Sequence, residues 1–480
     1  MIQIRPILLT LGSLLCVLAV LMLVPALVAL EDAPGVWIAF LASAAFTLFV
    51  GGLFVFAGYG HRSVRVGVRE GFLLTTLSWV VVTAFAAVPF TGVGLSYTDA
   101  FFEAMSGLTT TGGSVMTGLN KLPHGILLWR ALLQGIGGLG IVVMAIMILP
   151  YLRIGGLQLF QTENSDRSEK VLPRAVEIMK AIAKIYFVLM IACITLFMLF
   201  GMSLFDAVCY GLATVSTGGF SPHDESFGFW ASPSLELIAI AFMILGAMPF
   251  VVLVKAMHGD FQAPWRDAQV RGFVTFLIVV SIIVGIWYSV TRDVELFTAL
   301  RLAAFNVTSV VTTTGFASGD YSTWGPFAVG IFFLLTFVGG CTGSTTGAIK
   351  IYRLQMAGLV TRGYLRNLIS PNRVMTLVYN GRRVPEDVPF AVIAFLCVYM
   401  ASVGVVTVIL TTMGLDFLTS VSSAAAAIGN AGPGLGEIVG PVGNYSSLPA
   451  GAKWVLAAAM LLGRLELFTV LVLFRPEFWR

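Results

Sequence analysis

The chain has 480 residues, 58% of them hydrophobic and 11% charged, with a mean hydropathy of +0.94. Globular soluble chains carry about 25% charged residues, so a water-soluble enzyme or binding module is excluded and a polytopic membrane protein is implied. The net charge of +4 says little by its sign, and the placement of the basic residues says more.

In chain order, the first apolar run is Ile7 to Leu30, behind Arg5. It exceeds the roughly 7–15 residues of a signal-peptide core. It is long enough to span a bilayer and is read as a retained helix. Further runs of spanning length lie at about 36–58, 71–93, 125–150, 176–200, 234–256, 271–291, 325–349, 388–412 and 450–474, making ten crossings with the eighth interrupted. Four shorter apolar stretches, near 97–109, 204–215, 296–311 and 416–428, cannot cross, and each runs into Gly-rich sequence. A half-length helix ending in such a loop reads as a re-entrant element. Irregular backbone at membrane depth is tolerated only where it lines a cavity or is buried in protein.

From residue 71 the order long helix, half helix, Gly/Thr loop, long helix occurs four times. The loops are TTTGGS (109–114), STGGFS (216–221), TTTGFAS (312–318) and GNAGPGLG (429–436). Aligned on Gly112, Gly219, Gly315 and Gly432 they stand 107, 96 and 117 residues apart, the mark of a duplicated unit. The chain divides into two N-terminal helices (1–60) and repeats at 61–150, 151–257, 258–350 and 388–480, with a linker at 351–387 before the last. Of the 28 Lys and Arg, 20 fall at the termini or between crossings assigned to one side, among them Arg62, Arg65, Arg153, Arg167, Lys170, Arg174, Arg266, Arg362 and Arg373. The other side, with the half helices, holds Lys121, Arg130, Arg292, Arg301 and Lys453. The positive-inside rule puts both termini in the cytoplasm and the Gly/Thr loops toward the outside.

Four such loops around one axis would present carbonyls and hydroxyls that replace a cation's hydration shell. The half helices would aim their partially negative C-terminal ends at that axis and disfavour anions. The residues expected to line it are Thr110, Thr111 and Gly112; Thr217, Gly218 and Gly219; Thr313, Thr314 and Gly315; and Asn430, Ala431 and Gly432. A second Gly/Ser/Thr run cuts the long helix of the third repeat: Gly339, Gly340, Cys341, Thr342, Gly343, Ser344, Thr345, Thr346 and Gly347. It exceeds what a single kink needs and is read as an obstruction below the loops.

These motifs, with GGCTGSTTGAIK in the third repeat and the specific Asn430-to-Gly434 loop in the fourth, resemble the Trk/Ktr/HKT superfamily of potassium transporters over nearly the whole chain. The two extra N-terminal helices resemble its TrkH type. The resemblance implies an all-α polytopic membrane protein of four potassium-channel-like helix–pore helix–helix repeats around one pore. It implies a multi-pass protein of the bacterial cytoplasmic (inner) membrane that takes up K+, with the filter residues named above as its only metal-binding site. A serine at the first filter position goes with sodium selectivity in that family, and all four positions here are glycine, which favours potassium. The filter departs from the TVGYG strip of tetrameric channels, so looser selectivity is expected. The run 339–347 corresponds to an intramembrane gating loop. The resemblance further implies a homodimer in membrane lipid and a cytosolic TrkA-like ring of nucleotide-binding regulatory subunits. The segments Arg153–Arg174 and 350–387 are candidate docking surfaces, and no nucleic acid is involved.

Arg464 sits in the last apolar run and needs partners at membrane depth. Glu466, two residues on, faces elsewhere on a helix. Carbonyls serve both readings of Arg464, a packed arginine or a positive barrier touching the gating loop. Lys350 is either the loop's anchor or an inner-edge charge. Trp129, Arg130 and Gln134 are expected to anchor the outer interface rather than touch the ion. Asp99, Glu103, Asp224 and Asp320 either concentrate cations at the outer mouth or are solvated loop charges. The five single cysteines and four scattered histidines suggest neither disulfides nor a metal site. Gly135 to Gly140 fits G-x-G-x-x-G but follows no strand and is read as helix packing. The run Gly343 to Lys350 is not a phosphate-binding loop. No nucleophile–base pair suggests an enzyme. A gated channel-like path and a proton- or sodium-coupled symporter both remain open.

Overall fold

The computed structural model describes residues 3–60, 67–152, 171–370 and 377–480. Helices α1 (Ile4–Asp32) and α2 (Pro34–Gly58) are joined through Ala33 alone, with Pro34 pre-set for the first turn of α2. They pack backbone to backbone at Gly12 and Gly58, where an added methyl would come within 2.6 Å of main-chain nitrogen. The outer face of α2 leaves Phe49 and Phe56 66% and 84% exposed, a face for lipid.

Each of the four units then supplies a first long helix, a half helix and a second helix. The first long helices are α3 (Val68–Ala86), with α6 (Val171–Leu199), α10 (Ala268–Arg292) and α14 (Asp387–Thr412) further on. The half helices are α4 (Tyr97–Leu108), α7 (Leu204–Val215), α11 (Leu296–Val311) and α15 (Phe417–Gly429). Ser96 and Ser203 cap α4 and α7 by accepting from the backbone of Asp99 and Asp206, and Asp416 caps α15 through Thr419. Their apolar residues merge with those of the long helices into cores that extend from the N-terminal pair to the fourth unit.

The second helices differ. Helix α5 (His124–Leu152) is continuous, whereas α8 (Pro233–Ala247) stops and α9 (Phe250–Met257) leaves at 104°. Pro249 lacks an N–H and drives Met248 into an extended conformation, ψ 157°. In the third unit α12 (Pro326–Leu335) ends after ten residues, and helix resumes only at α13 (Ile351–Ile369). In the fourth, α16 (Ala450–Arg464) breaks where Glu466 and Leu467 take φ of 56° and 54°, and α17 (Phe468–Leu471) departs in a direction 106° away. The expectation that only the eighth of the ten runs is interrupted is corrected: the sixth and the tenth are bent as well. Seven described helices are long and apolar enough to cross, or nine if each bent pair is one span. The segments 234–256 and 450–474, read as continuous, are both broken.

Candidate functional site

The half helices all end the same way. Thr110, Thr217, Thr313 and Asn430 adopt φ of 52°, 53°, 55° and 52°, and Gly112, Gly219, Gly315 and Gly432 adopt φ of 86°, 80°, 87° and 77°. After each helix the next two amides turn back onto its last carbonyls. Thr110 and Thr111 donate to Gly107 and Ser106, Thr217 and Gly218 to Thr214 and Ala213, Thr313 and Thr314 to Val310 and Ser309, and Asn430 and Ala431 to Ala427 and Ala426. This is a Schellman-type cap with Thr, a β-branched residue, at a left-handed position in three of four cases. Such strain persists only where the surroundings impose it.

The caps meet around one axis. A methyl built on Gly112 would lie 2.2 Å from the Gly218 carbonyl oxygen, and one on Gly219 would lie 1.8 Å from that of Thr314. The corresponding distances are 2.8 Å from Gly315 to Ala431 O and 2.7 Å from Gly432 to Thr111 O. Each unit's glycine therefore abuts the preceding residue's carbonyl in the next unit, and the fourth closes on the first. Only glycine permits that approach. Among the described residues, two of the twelve loop carbonyls accept a protein hydrogen bond: Gly218 O from Gln134 at 2.6 Å and Gly432 O from the Tyr445 hydroxyl at 2.9 Å.

Polar side chains nine residues before the glycine brace the strand that follows it. Glu103 accepts from Ser114 Oγ and Val115 N, both at 2.9 Å, and from Arg130 Nε at 2.7 Å. Tyr210 bonds Ser221 Oγ at 2.8 Å, and Asn306 donates to Ser318 Oγ at 2.9 Å. In the fourth unit Ser422 does this one residue earlier, accepting from Leu435 N at 3.0 Å.

The run 339–347 lies against this ring. Gly347 N donates to Thr313 Oγ1 at 2.8 Å, and Thr345 Oγ1 meets Thr217 Oγ1 at 3.0 Å. Its backbone replaces the helix pairing lost at the α8–α9 break: Cys341 N and Thr345 N donate to Ala247 O and Gly246 O, and Phe250 N donates to Gly343 O. Ala348 N reaches Gly429 O at the end of α15, and Thr342 N reaches Gln269 Oε1. Within the run, Ser344 Oγ lies 2.8 Å from Thr346 Oγ1, and a methyl on Gly339 or Gly340 would strike Gly347 O or Ala247 O. Arg464 donates to Thr345 O at 2.8 Å and to Gly137 O at 3.2 Å, while Lys350 Nζ binds Thr346 O and Thr346 Oγ1. Glu466 pairs with Arg353 and stands with Lys350 and Arg464 around one cavity. A cavity of about 30 Å³ bounded by Ser344, Lys350, Arg464 and Tyr399 lies beside the run, about the size of one water.

Several expectations change. Trp129, Arg130 and Gln134 are buried, not at an interface: Trp129 donates to Ala86 O, Arg130 pairs with Glu103, and Gln134 reaches the repeat-two loop. Glu103 is fully buried, neither solvated nor at the mouth. Asp99 pairs with Lys453, Asp224 accepts from Leu119 N and Asp320 caps a short turn. Lys350 is buried and bonded to the run, the anchor alternative. Gly137 packs against Leu108 O and Gly138 against Ser216. Arg62, Arg65, Arg153, Arg167, Lys170 and Arg373 lie outside the described residues.

A multi-helix membrane protein with four half helices converging on one axis is the class this architecture defines. Residues 38–480 match the family described as TrkH, cation transport protein. The chain is 44% identical over 478 residues to the Trk system potassium uptake protein TrkI of Halomonas elongata, covering 99% of this chain and 97% of that protein. Against the Trk system potassium uptake protein TrkH of Escherichia coli K12 the identity is 36% over 477 residues, covering 98% of each. The crystal structure of the potassium transporter TrkH from Vibrio parahaemolyticus matches with a TM-score of 0.92 at 35% identity, covering all of both chains. The chain belongs to the TrkH family of cation transport proteins. It is a multi-pass membrane protein of a bacterium and not an enzyme.

Proposed function

We propose that this protein takes up potassium across the cytoplasmic membrane, through a filter made of Thr110–Gly112, Thr217–Gly219, Thr313–Gly315 and Asn430–Gly432. The observation that carries this reading is the closed ring: four glycines, each against the next unit's carbonyl, at the C-terminal ends of four converging half helices. Carbonyl oxygens without protein donors offer a dehydrated cation the ligands it gives up in water. The names of the relatives support potassium as the ion. The run 339–347, with Lys350 and Arg464, is the gate, since it bonds the underside of two filter loops and carries two buried cations on the path. We propose further that the chain divides into repeats at 61–150, 151–257, 258–350 and 388–480 with both termini cytoplasmic by the positive-inside rule, and that, as the family resemblance implies, it forms a homodimer in lipid with a cytosolic TrkA-like nucleotide-binding ring docking on the segments 153–174 and 350–387.

The channel-like reading is preferred over proton or sodium coupling. Among the described residues, the carboxylates nearest the path, Glu103 and Glu466, are both committed to arginines. Recordings from purified protein in bilayers test this. Unitary currents reversing at the potassium potential and indifferent to pH are expected, and stoichiometric proton movement would overturn it. Gly112→Ser, which forces a side chain onto Gly218 O, is expected to raise relative sodium permeability, and an unchanged ratio would count against the filter. Deleting residues 343–347 is expected to raise flux, and unchanged flux in folded protein would sink the gate.

A further inference from the structure

Three units hold their filter loops with groups of their own or of the loops. In units one and three the residue before the glycine is Thr, and its hydroxyl pairs with the Thr three before the glycine: Thr109 with Thr111 and Thr312 with Thr314, both at 2.7 Å. In unit four Asn430 donates to Thr111 Oγ1 at 3.0 Å, and Tyr445 holds Gly432 O. Unit two has glycine before the filter glycine and cannot make the hydroxyl pair, although Ser216 supplies the hydroxyl three before it.

The place of that missing side chain is filled from another unit. Gln134, in the middle of α5, donates from Nε2 to Gly218 O at 2.6 Å and accepts from Phe220 N at 3.0 Å. The two bonds straddle Gly219 and fix the amide's orientation, since one partner is an acceptor and the other a donor. A methyl on Gly218 would lie 2.4 Å from Gln134 Cδ. Glycine at 218 and glutamine at 134 therefore occupy one space between them.

We propose that Gln134 is a selectivity-setting positioning residue, an amide latch from the first unit that holds the second unit's filter loop in register with the other three. This inference rests on the filter reading above. Gly219 has the tightest approach of the ring, 1.8 Å from Thr314 O for an added methyl, so drift of this loop displaces two of the four units. Removing the latch frees Gly218 O and Phe220 N to move and widens the ring at one quarter. Potassium discrimination falls while permeation persists.

The test uses the full chain in liposomes, with the potassium-to-sodium permeability ratio read from reversal potentials. Gln134→Met keeps the volume and removes both bonds, and the ratio is expected to fall about fivefold. Gly218→Thr alone, which collides with the amide, is expected to fall at least as far. Gln134→Ala combined with Gly218→Thr rebuilds the hydroxyl pair of units one and three against Ser216 and is expected to recover to within about twofold of the parent. Relief of the collision alone makes the pair non-additive, so the discriminating variant is Gln134→Met: a glutamine that only fills space leaves the ratio unchanged there, and an unchanged ratio overturns the proposal. Gly432→Ser, in a unit Gln134 does not touch, separates the two readings. If it shifts the ratio and Gln134→Met does not, the latch falls and the filter stands. If neither shifts it, the filter reading falls with the latch.

Discussion

Thr110, Thr217, Thr313 and Asn430 share one left-handed conformation with φ between 52° and 55°, but the helices that follow them share nothing comparable. One runs straight, one turns by 104° at a proline, one gives way to the run 339–347, and one turns by 106° at two non-glycine residues with positive φ. On the filter reading proposed above, the ring is uniform because a dehydrated cation asks the same of every side. The layer beneath is irregular because its parts bond one another: Gly246 and Ala247, exposed by the α8 break, receive the amides of the run, and Arg464, at the α16 break, receives its carbonyl. The run 339–347 is thus not where fourfold symmetry is singly lost. It is the piece that fits between two further breaks.

Substitutions that break the uniform layer have the largest expected effect. Gly219→Ala puts a methyl 1.8 Å from Thr314 O at φ 80°, and loss of flux with about 3 kcal/mol of lost stability is expected, measured by uptake and thermal melting. Gly315→Ala, at 2.8 Å, is expected to retain measurable flux, which ranks the ring by its contacts. Next comes the irregular layer. Arg464→Ala leaves Thr345 O and Gly137 O without their charged donor, and basal potassium leak from vesicles is expected to rise about tenfold. Thr345→Val removes the hydroxyl's bonds to Thr217 Oγ1 and Gly246 O, leaves the backbone bond from Thr345 N to Gly246 O, and changes the volume little, and about a threefold rise in the same leak is expected. The smallest effect sharpens the comparison from the other direction. Thr110→Asn copies the fourth unit's solution at φ 52°, and flux is expected to be unchanged with stability equal or up to about 1 kcal/mol higher.

The half helices were legible because their chemistry is local. A short apolar stretch followed by Gly and Thr is a helix that stops, and α4, α7, α11 and α15 stop within about a residue of where the sequence indicates. The bends at 248–249 and 464–467 were hidden because two half spans have the same apolar composition as one whole span. Pro249 was an available signal; Glu466 and Leu467 carried none. Glu103 and Gln134 were misplaced for a different reason. Read along the chain, each is a polar residue near other polar residues and hence near an interface. Their partners, Arg130 for the first and Gly218 with Phe220 for the second, lie 27 and 84–86 residues away, beyond any periodicity.

The closure of the ring by a single chain, in the order one, two, three, four, has a genetic consequence. In an assembly of four identical subunits a codon change strikes every side of the pore at once. Here each codon strikes one side, so the filter's tolerance is open to mutation in quarters. A change in one unit therefore meets three unchanged neighbours, and the four sides carry different chemistry: threonine pairs on two, a glutamine from another unit on the third and an asparagine on the fourth.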